Sequence, residues 1–179
     1  MKKKHTTALF AMVIMVMLAV FIGLFSSTKK LYSETERYYT YDETGFSIEY
    51  SIFTRMDTAN NLAKIASEYA EEDAEIEILV KDLTEHMYFS TIKEAVQRNR
   101  ILDDNAGKLF DKLKNINMSA EDNESVNKLL MQMQSEQAKI NKSNFNDKAI
   151  EFNKVLNTYP AKFFKGMGGI EELPDFRIQ

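Results

Sequence analysis

Asp82 and His86 stand four residues apart, a spacing that brings a carboxylate and an imidazole onto one face of a helix. Such a pair could ligate a metal ion or exchange a proton. One face offers only these two ligands, whereas a zinc or di-iron centre needs three or more, commonly from Glu-x-x-His pairs on facing helices. The chain's other histidine, His5, lies in the N-terminal tail, and cysteine is absent. Thiolate nucleophiles, disulfides and Cys-bound zinc are therefore excluded, and Asp82–His86 reads as a structural or surface pair. Six acids lie between Glu68 and Glu77: Glu68, Glu71, Glu72, Asp73, Glu75 and Glu77. Acidic oxygens hold calcium only when several converge on one point, so the plain reading is a solvated face or helix end. There is no glycine-rich phosphate loop, GxSxG elbow or HExxH. The expectation is a protein with no catalytic residue, no metal and no cofactor. A metal-binding or enzymatic bundle using the acidic patch or His86 is the alternative.

Net charge is −4, and −7 once Lys2, Lys3 and Lys4 are set aside. An acidic domain is a poor match for a phosphate backbone, so nucleic acid is not an expected partner. Apolar residues make up 44% and charged residues 28% of the chain, a balance that suits a folded, charge-covered domain. Only two prolines and six glycines interrupt it, which favours long helices.

The elements that would position any site begin with an anchor. Residues 1–7 form a basic tail, and Ala8 to Phe25 read ALFAMVIMVMLAVFIGLF, without a charge, amide or hydroxyl. As a helix this run spans about 27 Å, close to the hydrocarbon thickness of a bilayer. It exceeds the apolar core of a cleaved signal peptide, so residues 8–25 read as a transmembrane helix. Lys2 to Lys4 and the amino terminus outweigh Lys29 and Lys30 on the other flank. The positive-inside tendency then keeps the tail in the cytoplasm and residues 29–179 outside it. Residues 26–45 read as a polar, Tyr-rich connector whose tyrosines would sit near the headgroups or cover the base of a bundle.

From residue 46 to 160 apolar residues recur at helical steps. Ile52, Met56, Ala59, Ala63, Ala66 and Ala70 mark a helix over residues 46–70. Ile76, Leu79, Leu83 and Met87 continue the step, and nothing between Ala66 and Ile76 forbids one helix of about forty residues. Thr91 with Glu94 is a capping box, opening a helix with Ile92, Val96, Leu102, Ala106, Leu109, Leu113 and Ile116 on its apolar face. Ser119 with Asp122 caps a last helix expected to run to Tyr159. Its stripe slips phase between Ile140 and Phe145. The fold class is all-α, an antiparallel helical bundle behind the transmembrane helix, with either three long helices or four shorter ones.

In the last helix Phe145, Phe152 and Tyr159 recur every seventh residue, Asn146 and Asn153 follow the first two, and Pro160 ends the run. The asparagines fall at the edge of the aromatic face, where they would bond to neighbouring elements and fix register. Upstream, RMDTANNLAKIASEY contains Arg55, Asp57, Asn61, Leu62 and Tyr69. These two motifs, in order behind a basic tail and one apolar span, resemble the LemA family of bacterial membrane-anchored helical proteins. That family shows a YN-x5-YN repeat followed by proline, and Arg and Asp followed by Pro-Asn-Leu and a tyrosine. Asn60 stands here where the family's proline usually does. The resemblance covers most of residues 1–165, with little support between Ala74 and Asn123. It implies four helices rather than three, and a bacterial cell membrane. It supplies no substrate.

Residues 161–179 form a C-terminal tail. With four antiparallel helices the last returns towards the membrane and delivers Phe163, Phe164 and Lys165 to the headgroups. The expected partners are the lipid bilayer and unidentified membrane or envelope proteins, with self-assembly through the helix faces as a further option. The expected role is a non-enzymatic scaffold or interaction module at the cell envelope.

Overall fold

The computed structural model describes residues 2–85 and 88–178, with side chains from Leu9 onward. The expected Asp82–His86 pair and the place of Met87 in its stripe lie outside the described residues. The architecture is all-α, with no strand among the described residues. Six helices follow in order: α1 (Lys2–Thr40), α2 (Ile48–Ser67), α3 (Ala74–Thr84), α4 (Ile92–Leu113), α5 (Ala120–Asn141) and α6 (Asn144–Leu156). Two 3-10 turns, Ala161–Phe164 and Met167–Gly169, lead into an extended tail.

The connector read over residues 26–45 is helical as far as Thr40, so the apolar run and the stalk beyond it are one rod. The stalk is amphipathic at a level the composition hides. Phe25, Thr28, Tyr32, Thr35 and Tyr39 step by three and four and turn inward. The two threonines can face an apolar neighbour because each hydroxyl donates to the carbonyl four residues back, Thr28 to Leu24 at 2.9 Å and Thr35 to Leu31 at 2.8 Å. The rod ends in a tight turn. The Asp42 carboxylate accepts from the Thr44 and Phe46 amides at 2.8 and 3.0 Å, and Gly45 takes a φ of +79° there. Ser47 then caps α2 by accepting from the Tyr50 amide at 3.0 Å.

Helices α2 to α5 make an up-down-up-down bundle. At one end Ser51 donates to Glu136 at 2.8 Å, and at the other Tyr69 donates to Asp122 at 2.6 Å, so α2 and α5 are antiparallel. Arg55 in the first half of α2 meets Asn99 and Asp103 towards the middle of α4, while Lys112 near the end of α4 reaches Asp73 beyond the end of α2, so α2 and α4 are parallel. The intervening α3 runs back between them. The forty-residue helix that the sequence allowed is broken at residues 68–73, where Asp73 caps α3 by accepting from the Glu75 amide at 2.9 Å. Ile52, Ala59, Leu62, Ala63 and Ala66 of α2 are fully buried or nearly so, and the alanines let its neighbours approach closely.

The last helix, expected unbroken from Ser119 to Tyr159, divides at Lys142–Ser143, where the apolar stripe changes phase. Ser143 caps the second piece by accepting from the Phe145 amide at 3.2 Å. Five helices therefore follow α1, and the fifth leaves the bundle. Helix α6 runs antiparallel down the stalk: Tyr39 meets Phe145 with ring centroids 6.0 Å apart, and Tyr32 meets Phe152 at 5.6 Å. It stops at Leu156, short of Pro160, so Tyr159 leaves the face it was expected to share with Phe145 and Phe152 and is exposed.

Candidate functional site: a polar core and an asparagine ladder

Arg55 is 1% exposed at the centre of the bundle. Its guanidinium donates to Asn99 Oδ1, Gln137 Oε1 and Asp103 Oδ1, joining α2, α4 and α5. Burial pushes the Arg55 pKa down, and the Asp103 carboxylate opposes the shift. A guanidinium starts so far above neutrality that the group stays charged. Asn99 Nδ2 also donates to Gln137 Oε1 at 2.9 Å. The network leaves the bundle through Gln137 Nε2, which donates to Asn141 Oδ1 at 2.6 Å and to the Phe176 carbonyl at 3.2 Å.

Phe176 belongs to the C-terminal tail, which returns from the 3-10 turns as an extended strap. Ile170, Leu173 and Phe176 are buried, so every third residue of the strap faces inward. Amide side chains hold its backbone. Asn153 Nδ2 donates to the Leu173 carbonyl at 2.7 Å while its Oδ1 accepts from the Leu173 amide at 2.9 Å. Asn141 pairs in the same two-point way with Ile178, at 3.3 and 3.2 Å. Asn146 Oδ1 accepts from the Phe176 amide at 3.0 Å, and its Nδ2 donates to the Ile140 carbonyl at 2.7 Å, in the last turn of α5. An amide carries both a donor and an acceptor, so it can complete a backbone group pair as a neighbouring strand would. The Phe176 ring stacks on Tyr39 at 5.5 Å and meets Phe145 edge-on at 5.7 Å.

The motif residues thus divide by role. Tyr69 locks the top of the bundle: its hydroxyl accepts from the Ser119 amide at 3.2 Å and donates to Asp122, which itself receives the Ser119 hydroxyl at 2.7 Å. Leu62, Phe145 and Phe152 are core. Asn61 is half-buried, and Asp57 is exposed on the side of α2 away from Arg55. Asn153 bonds to the tail rather than to a neighbouring helix, and Asn146 bonds to both the tail and the end of α5. Pro160 follows a cis peptide bond after the end of α6. Phe163 is exposed, Phe164 is buried, and Lys165 reaches Glu172 at 2.6 Å. Sequence reasoning missed Asn99, Asp103, Gln137 and Asn141. Their signal was the gaps in two apolar stripes, Val96 to Leu102 holding Asn99 and Met133 to Ile140 holding Gln137, with Asp103 and Asn141 each four residues further on.

In the acidic patch, Asp73 and Glu75 are engaged by Lys112 at 3.0 and 2.5 Å. Among the described residues no three His, Asp or Glu side chains converge as metal ligands would. A groove of about 410 Å³ opens at the waist, where stalk, bundle and tail meet; Tyr32, Phe89 and Leu173 line it beside the carboxylates of Glu36, Glu49 and Glu171. Comparison with known proteins finds no matching family model, no similar curated protein and no similar solved structure.

Proposed function

We infer that the chain is a single-pass, membrane-anchored helical bundle of the LemA type, acting without catalysis as a scaffold or interaction module at the bacterial cell envelope. One observation carries this reading. The apolar half of α1 is long enough to cross a membrane and is exposed from Leu9 to Leu24, and it continues without a break into the stalk that packs on α6. Residues of its type have no place in water and a ready one in lipid. Arg55, Asn99, Gln137 and Asn146 bond to one another's elements and to the tail backbone, which suits holding a shape. An exposed aromatic face suits a partner: Phe53 stacks on Phe89 at 5.1 Å, with Tyr50 beside it on α2. The basic tail would lie in the cytoplasm, with residues 29–179 outside.

The test is made in the native membrane. The full chain should remain with the bilayer through alkaline carbonate washing. A photo-cross-linking residue at Phe53 should capture envelope proteins that one at the exposed Glu121, at the Tyr69 end of the bundle, does not. Release of a shortened soluble product, or identical capture from both positions, would count against the reading.

A further inference from the structure

The turn Ala161–Phe164 rests on the apolar part of α1, not on its polar continuation. The Phe164 ring meets Phe21 edge-on at 5.1 Å and Phe25 at 5.6 Å and is 1% exposed. A Cβ on Gly168 would come within 2.9 Å of the Phe25 ring, so the next turn is pressed against the same helix. Phe21 and Phe25 close the apolar run, and the first charge after it, Lys29, stands about 6 Å beyond Phe25 along the rod. Whatever depth the end of that run takes in a bilayer, these turns take it too. They carry an outward apolar cluster. Tyr159 is 69% exposed, Phe163 68% and Met167 43%, with the Tyr159 and Phe163 rings 5.5 Å apart, and Lys162 and Lys165 are exposed between them.

We propose that the turn from Tyr159 to Met167 is a second membrane element, which inserts Phe163, Met167 and the Tyr159 ring into the interfacial layer of the leaflet through which α1 leaves the bilayer. The proposal rests on the membrane-anchored reading above. Aromatic and apolar side chains flanked by lysines suit that layer: the rings enter the acyl boundary while ammonium groups stay among the phosphates. Phe164 is not part of the inserted face, because α1 already covers it. Two points of contact, one helix and one turn fixed to its side, would set which face of the bundle looks back at the lipid.

The chain contains no tryptophan, so Phe163→Trp makes a single reporter at an exposed position that the core does not need. The full-length variant is reconstituted into phosphatidylcholine vesicles, and its emission is compared with lipids brominated at shallow or deep chain positions and with aqueous acrylamide. The expected result is a blue-shifted emission that loses most of its intensity to shallow bromines and little to acrylamide. A second variant, Leu18→Trp on the lipid-facing side of α1, reports the anchor separately and should be quenched by deep bromines. Quenching at Leu18→Trp with Phe163→Trp open to acrylamide overturns this inference and spares the anchor. Phe163→Trp protected from both lipid and acrylamide places it against protein and also overturns it. No lipid quenching at either position overturns the anchor reading itself.

Discussion

At Arg55 a full positive charge is held inside the bundle by one half-exposed carboxylate and two amide oxygens. Removing one partner from such a cluster leaves the others buried without bonds. Arg55→Ala should cost about 3 kcal/mol in urea unfolding, far more than Asp57→Ala on the opposite side of α2, which should be nearly neutral because Asp57 is exposed. Equal effects would mean the network is not what organises the core. Asn153 makes a sharper case. Asn153→Asp keeps the shape and the acceptor but loses the donor to the Leu173 carbonyl, and it should cost about 1–2 kcal/mol. Hydrogen exchange at the Leu173 amide should quicken as well. An exchange rate unchanged from the parent would show that the tail is held by its apolar residues alone.

The helices explain why some of this was legible. Apolar steps of three and four located α2, α4 and α5 well, and Thr91 and Ser119 marked two starts. At Thr91 the expected box is altered: Glu94 takes the Ser90 amide at 2.8 Å rather than returning to the cap residue. The stalk was not legible, because Thr28 and Thr35 read as polar until their hydroxyls are seen to bond to their own helix. The tail's place was also hidden, because a strap buried at every third residue carries neither a helical nor a strand period. The division of α5 from α6 was half visible, as a phase slip without a recognised cap. Ser143 supplies that cap, so Ser143→Ala should cost about 1 kcal/mol and raise exchange in the first turn of α6. Protection unchanged there would mean that the Asn146 bond to Ile140 alone maintains the junction.

Across the molecule, carboxylates at three helix starts respond to pH together. The Asp73 carboxyl is held below its ordinary range by the Glu75 amide and Lys112, Glu94 by the Ser90 amide and hydroxyl, and Asp122 by the Ser119 and Tyr69 hydroxyls. A depressed pKa in the folded state means that the unfolded chain takes up the proton first. The stability these groups lend is complete above the ordinary carboxylate range near about 4 and is lost as pH falls through their folded values. Thermal melts followed by circular dichroism should therefore hold steady from neutrality to about pH 5 and decline below about 4. Asp122→Asn should flatten part of that decline; a slope identical to the parent's would assign acid sensitivity elsewhere.

Helix α1 passes from Lys2 to Thr40 with no glycine-rich or proline joint above the apolar run. Fifteen residues of shaft above Phe25 amount to a standoff of about 22 Å, braced along its length by α6. A rod of this kind has no joint at which to swing. Under the proposed membrane-anchored reading, a twist or tilt of the apolar run would be passed along the helix towards the Tyr39–Phe176 contact, and a docking protein would meet the bundle at that height.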